Sequence, residues 1–96
     1  MVTYLLGTPW AVWFPVDPDE LLDYHYQVVL TGPDGFRAGP FREGLELTRY
    51  DDALELNLRA DQTRVAPGPY TLVLLQTPDE GTPIETPYPI RVNRLS

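Results

Sequence analysis

"ADQTRVAPGPYTLVLL", residues 60–75, decides the fold. The alternating run "ALELNLR" ends at Arg59, and "ADQTRVA" then reads as one short helical turn near 61–65 with Asp61 as its N-cap. Val65 follows as a plug for the end of a core. In "APGPY", Gly68 permits a sharp bend and Tyr70 enters the next strand. Pro67, Gly68 and Tyr70 therefore have the composition of a tyrosine corner, whose phenol hydroxyl bonds back to crossing backbone. A corner of this kind serves a chain that must climb about 10 Å between two packed sheets.

Working outward from this corner, alternation is the dominant pattern. In "YHYQVVLT", Tyr24, Tyr26, Val28 and Leu30 fall on one face and His25, Gln27, Val29 and Thr31 on the other. Leu54, Leu56 and Leu58 alternate with Glu55, Asn57 and Arg59, and Tyr70, Leu72 and Leu74 share one face of the long strand. "YPIRVN" does the same with Tyr88, Ile90 and Val92. A period of two over several short runs predicts half-buried antiparallel strands. The nearest approach to a helical stripe, "PDELLDYHY", allows only a short helix. "TGPDGF" offers hairpin chemistry of the type I plus bulge kind, and "TPDEGT" repeats that logic before the last strand. About seven strands with turns every 8–12 residues predict an all-β, immunoglobulin-like antiparallel sandwich, residues 1–96 forming a single domain.

Composition narrows the functional classes. Ninety-six residues suffice for one modest core, with roughly 60–65% of the unfolded surface buried. There is no cysteine, so neither a disulfide nor a thiolate metal site stabilises the chain. The net charge is −7 and all seven basic residues are arginines, a balance that argues against nucleic acid and anionic membranes as partners. No apolar run approaches the roughly 18–20 residues that span a bilayer. The N-terminal segment lacks a basic stretch and carries Pro9 early, which argues against a secretory leader.

The segment from "LELNLRADQTRVAPGPY" to "PIRV" resembles the C-terminal half of small immunoglobulin-like β-sandwich domains in tailed-phage virion proteins, such as the baseplate upper protein N-terminal domain. Thr63, Pro67, Gly68, Tyr70 and Val92 fall at the matching places. The resemblance covers about half the chain, and its motifs describe a fold more than a chemistry. It implies a structural protein of the virion, assembled in the host cytoplasm, at the tail or baseplate, the head–tail connection or the capsid surface. Its partners would be other virion proteins and further copies of itself. Relatives often head a longer chain, whereas this sequence stops after the last strand, which favours a separate accessory subunit.

Val73 and Leu75 make the long strand apolar on its second face, and "WAVWF" sets Trp10, Val12 and Phe14 against Ala11 and Trp13. Either loops cover these residues within the monomer, or Trp10, Trp13, Val73 and Leu75 form a protein–protein interface with an acidic and arginine rim. The strand "YPIRVN" offers a possible edge for pairing with a neighbour, opposed by Pro87 and Pro89. A rival reading takes Trp10, Trp13, Tyr50 and Tyr88 as a platform stacking on sugar rings. The acidic run of Asp17, Asp19, Glu20 and Asp23 lacks the glycine and closing glutamate of a calcium loop and reads as solvated. Asp51 and Asp52 sit in an ordinary turn, His25 is the only histidine, and the only serine is Ser96. Neither a metal, a cofactor nor an enzymatic activity is expected from this inventory.

Overall fold

The computed structural model describes residues 2–94, leaving aside the side chain of Leu22. Eight strands run in chain order: β1 (Val2–Leu5), β2 (Trp10–Pro15), β3 (Tyr24–Thr31), β4 (Arg37–Arg42), β5 (Leu47–Arg49), β6 (Ala53–Leu58), β7 (Gly68–Pro78) and β8 (Ile84–Asn93). They form a five-stranded sheet in the order β1-β8-β7-β3-β4 and a three-stranded sheet in the order β2-β6-β5. The chain is an all-β sandwich whose strand order is immunoglobulin-like. Two expectations change. Eight strands replace seven, and β1 pairs with β8 in parallel, from Val2 opposite Ile90 to Leu5 opposite Asn93.

The alternation in the sequence is the alternation of burial. Trp10, Val12 and Phe14 point inward from β2, and Leu54, Leu56 and Leu58 from β6. Tyr26, Val28 and Leu30 of β3 and Tyr70, Leu72 and Leu74 of β7 meet them from the other sheet, closing one core. Phe14 and Tyr88 pack edge to face across the layers at 4.9 Å.

The corner forms as its composition requires. The Tyr70 hydroxyl donates to the Ala66 carbonyl at 2.6 Å. Gly32 makes room for that ring: a Cβ built there would overlap Tyr70 Cε1 and Cδ1. The helical turn is a 3-10 turn at Ala60–Gln62, so the N-cap position belongs to Arg59 and Asp61 lies inside the first turn. Gln62 Oε1 accepts the Arg59 N–H at 2.8 Å. Thr63 is fully buried, and its hydroxyl reaches the Thr8 carbonyl at 2.7 Å, fastening the turn to the β1–β2 loop. Val65 packs against the core as expected.

The β3–β4 hairpin also differs in detail. Asp34 and Gly35 both have positive φ, 57° and 76°, and the Phe36 N–H donates to the Pro33 carbonyl at 3.1 Å. Positive φ at both central residues is the mark of a type I′ turn, so the predicted type I turn with a bulge is replaced by an Asp-Gly type I′ turn. Farther along, one extra residue on β4 shifts the register around Gly39 and Pro40.

Candidate interaction surfaces

The four residues expected to share an interface do not share one. Trp10 is only 2% exposed; its ring lies 5.1 Å from that of Tyr4, and its Nε1 donates to the Leu5 carbonyl at 2.9 Å. It therefore staples β1 to β2 across the sandwich and leaves the interface set. Trp13 points outward from the three-stranded sheet, 54% exposed. Val73 and Leu75 are half-buried on the outside of the five-stranded sheet, the opposite face of the molecule.

Strand pairing arranges that second face in rows. Arg42, Gln27, Leu75 and Glu85 stand side by side across β4, β3, β7 and β8. Val29, Val73 and Pro87 form the next row, and Arg37, Thr31, Thr71 and Pro89 the one after. Val29 is buried although it points away from the core. It lines a shallow cavity of about 70 Å³ with Thr31, Arg37, Val73, Leu75 and Glu85. Among the described residues, Arg37, Arg42 and Glu85 make no ion pair. Three arginines, Arg37, Arg42 and Arg91, and one glutamate, Glu85, are the charged side chains of β4, β7 and β8 on this face, in a chain of net charge −7. The sequence signals Val73 and Leu75 as apolar, but their flanking charges become neighbours only through the register.

The outer face of the three-stranded sheet carries a different cluster. The Trp13 and Tyr50 rings lie 5.2 Å apart, tilted by 34°, and both are exposed. Glu55, opposite Trp13, accepts from Tyr50 Oη at 3.3 Å and from Asn57 Nδ2 at 2.9 Å. The charge of Glu55 pushes the Tyr50 hydroxyl above its ordinary pKa, aided by slight desolvation and by that hydrogen bond. Of the four aromatic residues weighed as a sugar platform, only these two meet, because Tyr88 packs on Phe14 and Trp10 is in the core.

The sheet edges are blunted. Within a strand the N–H and C=O of one residue point to the same neighbour, and alternate residues point to opposite neighbours. The Leu6 N–H bonds the Asn93 carbonyl, so odd-numbered residues of β8 point toward β1. Pairing with β1 begins only at Ile90, and upstream of it the outward positions are Glu85, Pro87 and Pro89. Glu85 alone offers a donor there. The expected edge "YPIRVN" is thus occupied by β1 over its second half and stripped of donors over its first. On β6, the Asn57 N–H bonds the Glu46 carbonyl on the β5 side, so even-numbered residues of β6 point to β2. In register, the backbone groups of odd-numbered β2 positions face open solvent; Pro15 is one of them, and Pro9 immediately precedes the strand. β4 ends in arginines and is irregular in the middle, while β1 and β5 have four and three residues. Prolines, charges, bulges and shortness are the standard means of keeping edges from pairing.

Asp17, Asp19, Glu20 and Asp23 are exposed on a segment that ends in a 3-10 turn at Leu21–Asp23, whose Leu21 enters the core, and the Asp19 N–H bonds Asp17 Oδ1 at 2.9 Å. Among the described residues, no three His, Asp or Glu side chains gather as a metal site. A cluster with no sequence signal lies near the same end. Arg49 Nε and Nη2 donate to Glu43 at 2.6 and 3.0 Å, and its Nη1 and Nη2 reach the Leu21 and Tyr24 carbonyls at 2.6 and 3.0 Å. Burial pushes the Glu43 carboxyl up, but bonds from Arg49 and the Tyr26 N–H, with the Arg49 charge, hold it below the ordinary glutamate value. No protein-family model matches the chain, and no curated protein matches it.

Proposed function

We propose that this domain is a non-enzymatic structural protein of a tailed-phage particle, acting by protein–protein assembly at the tail or baseplate, the head–tail connection or the capsid surface. The observation that carries this reading is the outer face of the five-stranded sheet. Val73 and Leu75 form an apolar strip with Arg37 and Arg42 on β4 at one margin and Glu85 and Arg91 on β8 at the other, on a molecule whose edges are blunted. A solvated sheet face should alternate to polar residues, and an apolar strip rimmed by charge marks a docking surface. The resemblance of residues 54–92 to virion domains supplies the setting. The partners are other virion proteins, met after synthesis in the host cytoplasm.

The test follows the chain into particles. Cells carrying the gene in its natural context are induced, particles are banded by density, and peptides of this chain are quantified by mass spectrometry. Recovery in the particle band at a fixed ratio to other virion proteins is the expected result. Recovery in the soluble fraction alone overturns the reading. A second reading, a carbohydrate-binding or adhesion module, is favoured by Trp13 and Tyr50 together, since a stacking platform stays exposed in the isolated chain. Saccharide-dependent Trp fluorescence, lost in Trp13→Ala, distinguishes it.

A further inference from the structure

We propose that the outer face of the five-stranded sheet binds a second copy of this chain about a twofold axis lying between β3 and β7, along the strands. The inference rests on the assembly reading and names the partner for that surface. Rotation about such an axis in the interface plane carries β8 of one copy over β4 of the other, while heights along the strands are kept. Arg42 and Glu85 belong to the same row, at opposite ends of Gln27 and Leu75. Each Arg42 therefore meets the Glu85 of the second copy, and the pair occurs twice, as an isologous interface requires. Between the two pairs, β7 of one copy lies over β3 of the other, so that Val73 meets Val29 and Leu75 meets Gln27 of the second copy. The shallow cavity above Val29 lies in this same strip and receives Val73 of the second copy.

Charge selects this partner geometry. A twofold axis perpendicular to the strands lays each strand over its own counterpart with the rows reversed; passing through the Val29–Val73–Pro87 row, it sets Arg42 against Arg37 and leaves Glu85 opposite Pro89. The parallel axis places opposite charges together, and face-packed sheets tolerate the roughly 30° offset that twist imposes. The acidic segments around 17–23 and 51–52 belong to loops rather than to this face. Four strands about 4.8 Å apart and some six residues of about 3.3 Å give a contact of roughly 400 Å² per copy, about half the usual size. The dimer is accordingly weak, with an expected Kd of roughly 10–100 μM.

The test is sedimentation equilibrium of the purified chain at increasing concentration. Arg42→Glu and Glu85→Arg are each expected to weaken self-association at least tenfold. A one-to-one mixture of the two variants is expected to form a heterodimer, because each contact then pairs opposite charges, and the double variant R42E/E85R is expected to regain dimerisation. Both positions are exposed, and circular dichroism verifies that each variant folds. A wild-type chain that stays monomeric to about 0.5 mM overturns the proposal. So does a dimer indifferent to both substitutions, or two variants that fail to rescue each other. These outcomes are independent of the particle-band experiment, so a failed twofold contact and a failed assembly reading are separately visible.

Discussion

Arg49 satisfies four acceptor contacts with one guanidinium: two on Glu43 and one each on the carbonyls of Leu21 and Tyr24. It also stands 5.3 Å from the centre of the Tyr26 ring. Its side chain is about a quarter exposed, as is that of Glu43, so solvent screens the pair less than it would a surface bridge. The planar fork matters more than the charge, because an ammonium cannot reach acceptors on three residues at once. Arg49→Met is expected to cost about 2–3 kcal/mol, since it leaves a partly buried carboxylate without its cation and takes the guanidinium donors from two carbonyls. Arg49→Lys should recover less than half of that loss. Arg42, exposed and without an ion-pair partner among the described residues, should tolerate Met within about 0.5 kcal/mol. Urea unfolding of the three variants measures this; equal losses at 42 and 49 would contradict the cluster. In the sequence both are arginines flanking apolar runs, and only the meeting of β5 with the start of β3 tells them apart.

Each element shows how far local sequence reaches. The corner was legible because its parts lie within eight residues: Thr63, Pro67, Gly68 and Tyr70 act on the Ala66 carbonyl or the adjoining turn. The inward faces were legible because period two is a local property. Parallel pairing of β1 with β8 was not, since it joins residues nearly ninety positions apart and no turn announces it. The interface set failed at Trp10 for a related reason: its indole belongs to the inward face, and its partners Tyr4 and Leu5 come from another sheet. Prolines sit between these cases. Pro87 and Pro89 are visible as breakers, but the register shows that their missing N–H groups face the unpaired edge of β8. Pro87→Thr with Pro89→Thr restores two outward donors beside Glu85 without removing a ladder bond. Slow growth of species larger than those of the wild-type chain is expected in sedimentation velocity over days. A size distribution indistinguishable from wild type would mean that the prolines do not protect this edge.

Across the whole molecule the two sheets are fastened at opposite ends by different chemistry. At the end where β7 begins, the ties are neutral: Tyr70 to Ala66, Thr63 to Thr8 and Trp10 to Leu5. At the end where β7 finishes and β3 starts, the tie is the Arg49–Glu43 pair, with Glu43 also accepting the Tyr26 N–H at 3.1 Å. Acid therefore loosens one end before the other. The folded-state pKa of Glu43 lies below its ordinary value of 4.5, so its contribution is complete above that value and is lost as pH falls through the depressed folded value. At the neutral end the nearby carboxylate, Asp61, is held below its ordinary value by Arg59 and takes part in none of the three ties. Stability of the wild-type chain minus that of Glu43→Gln should be constant between about pH 5.5 and 8 and shrink below about pH 4.5, by the linkage between proton binding and folding. Hydrogen exchange should show the amide of Tyr26 losing protection in acid ahead of the strand residues around Leu72, whose burial and hydrogen bonds do not depend on a carboxylate. If the difference does not narrow in acid, or if both ends open together, the ionic tie does not hold the sheets at its end.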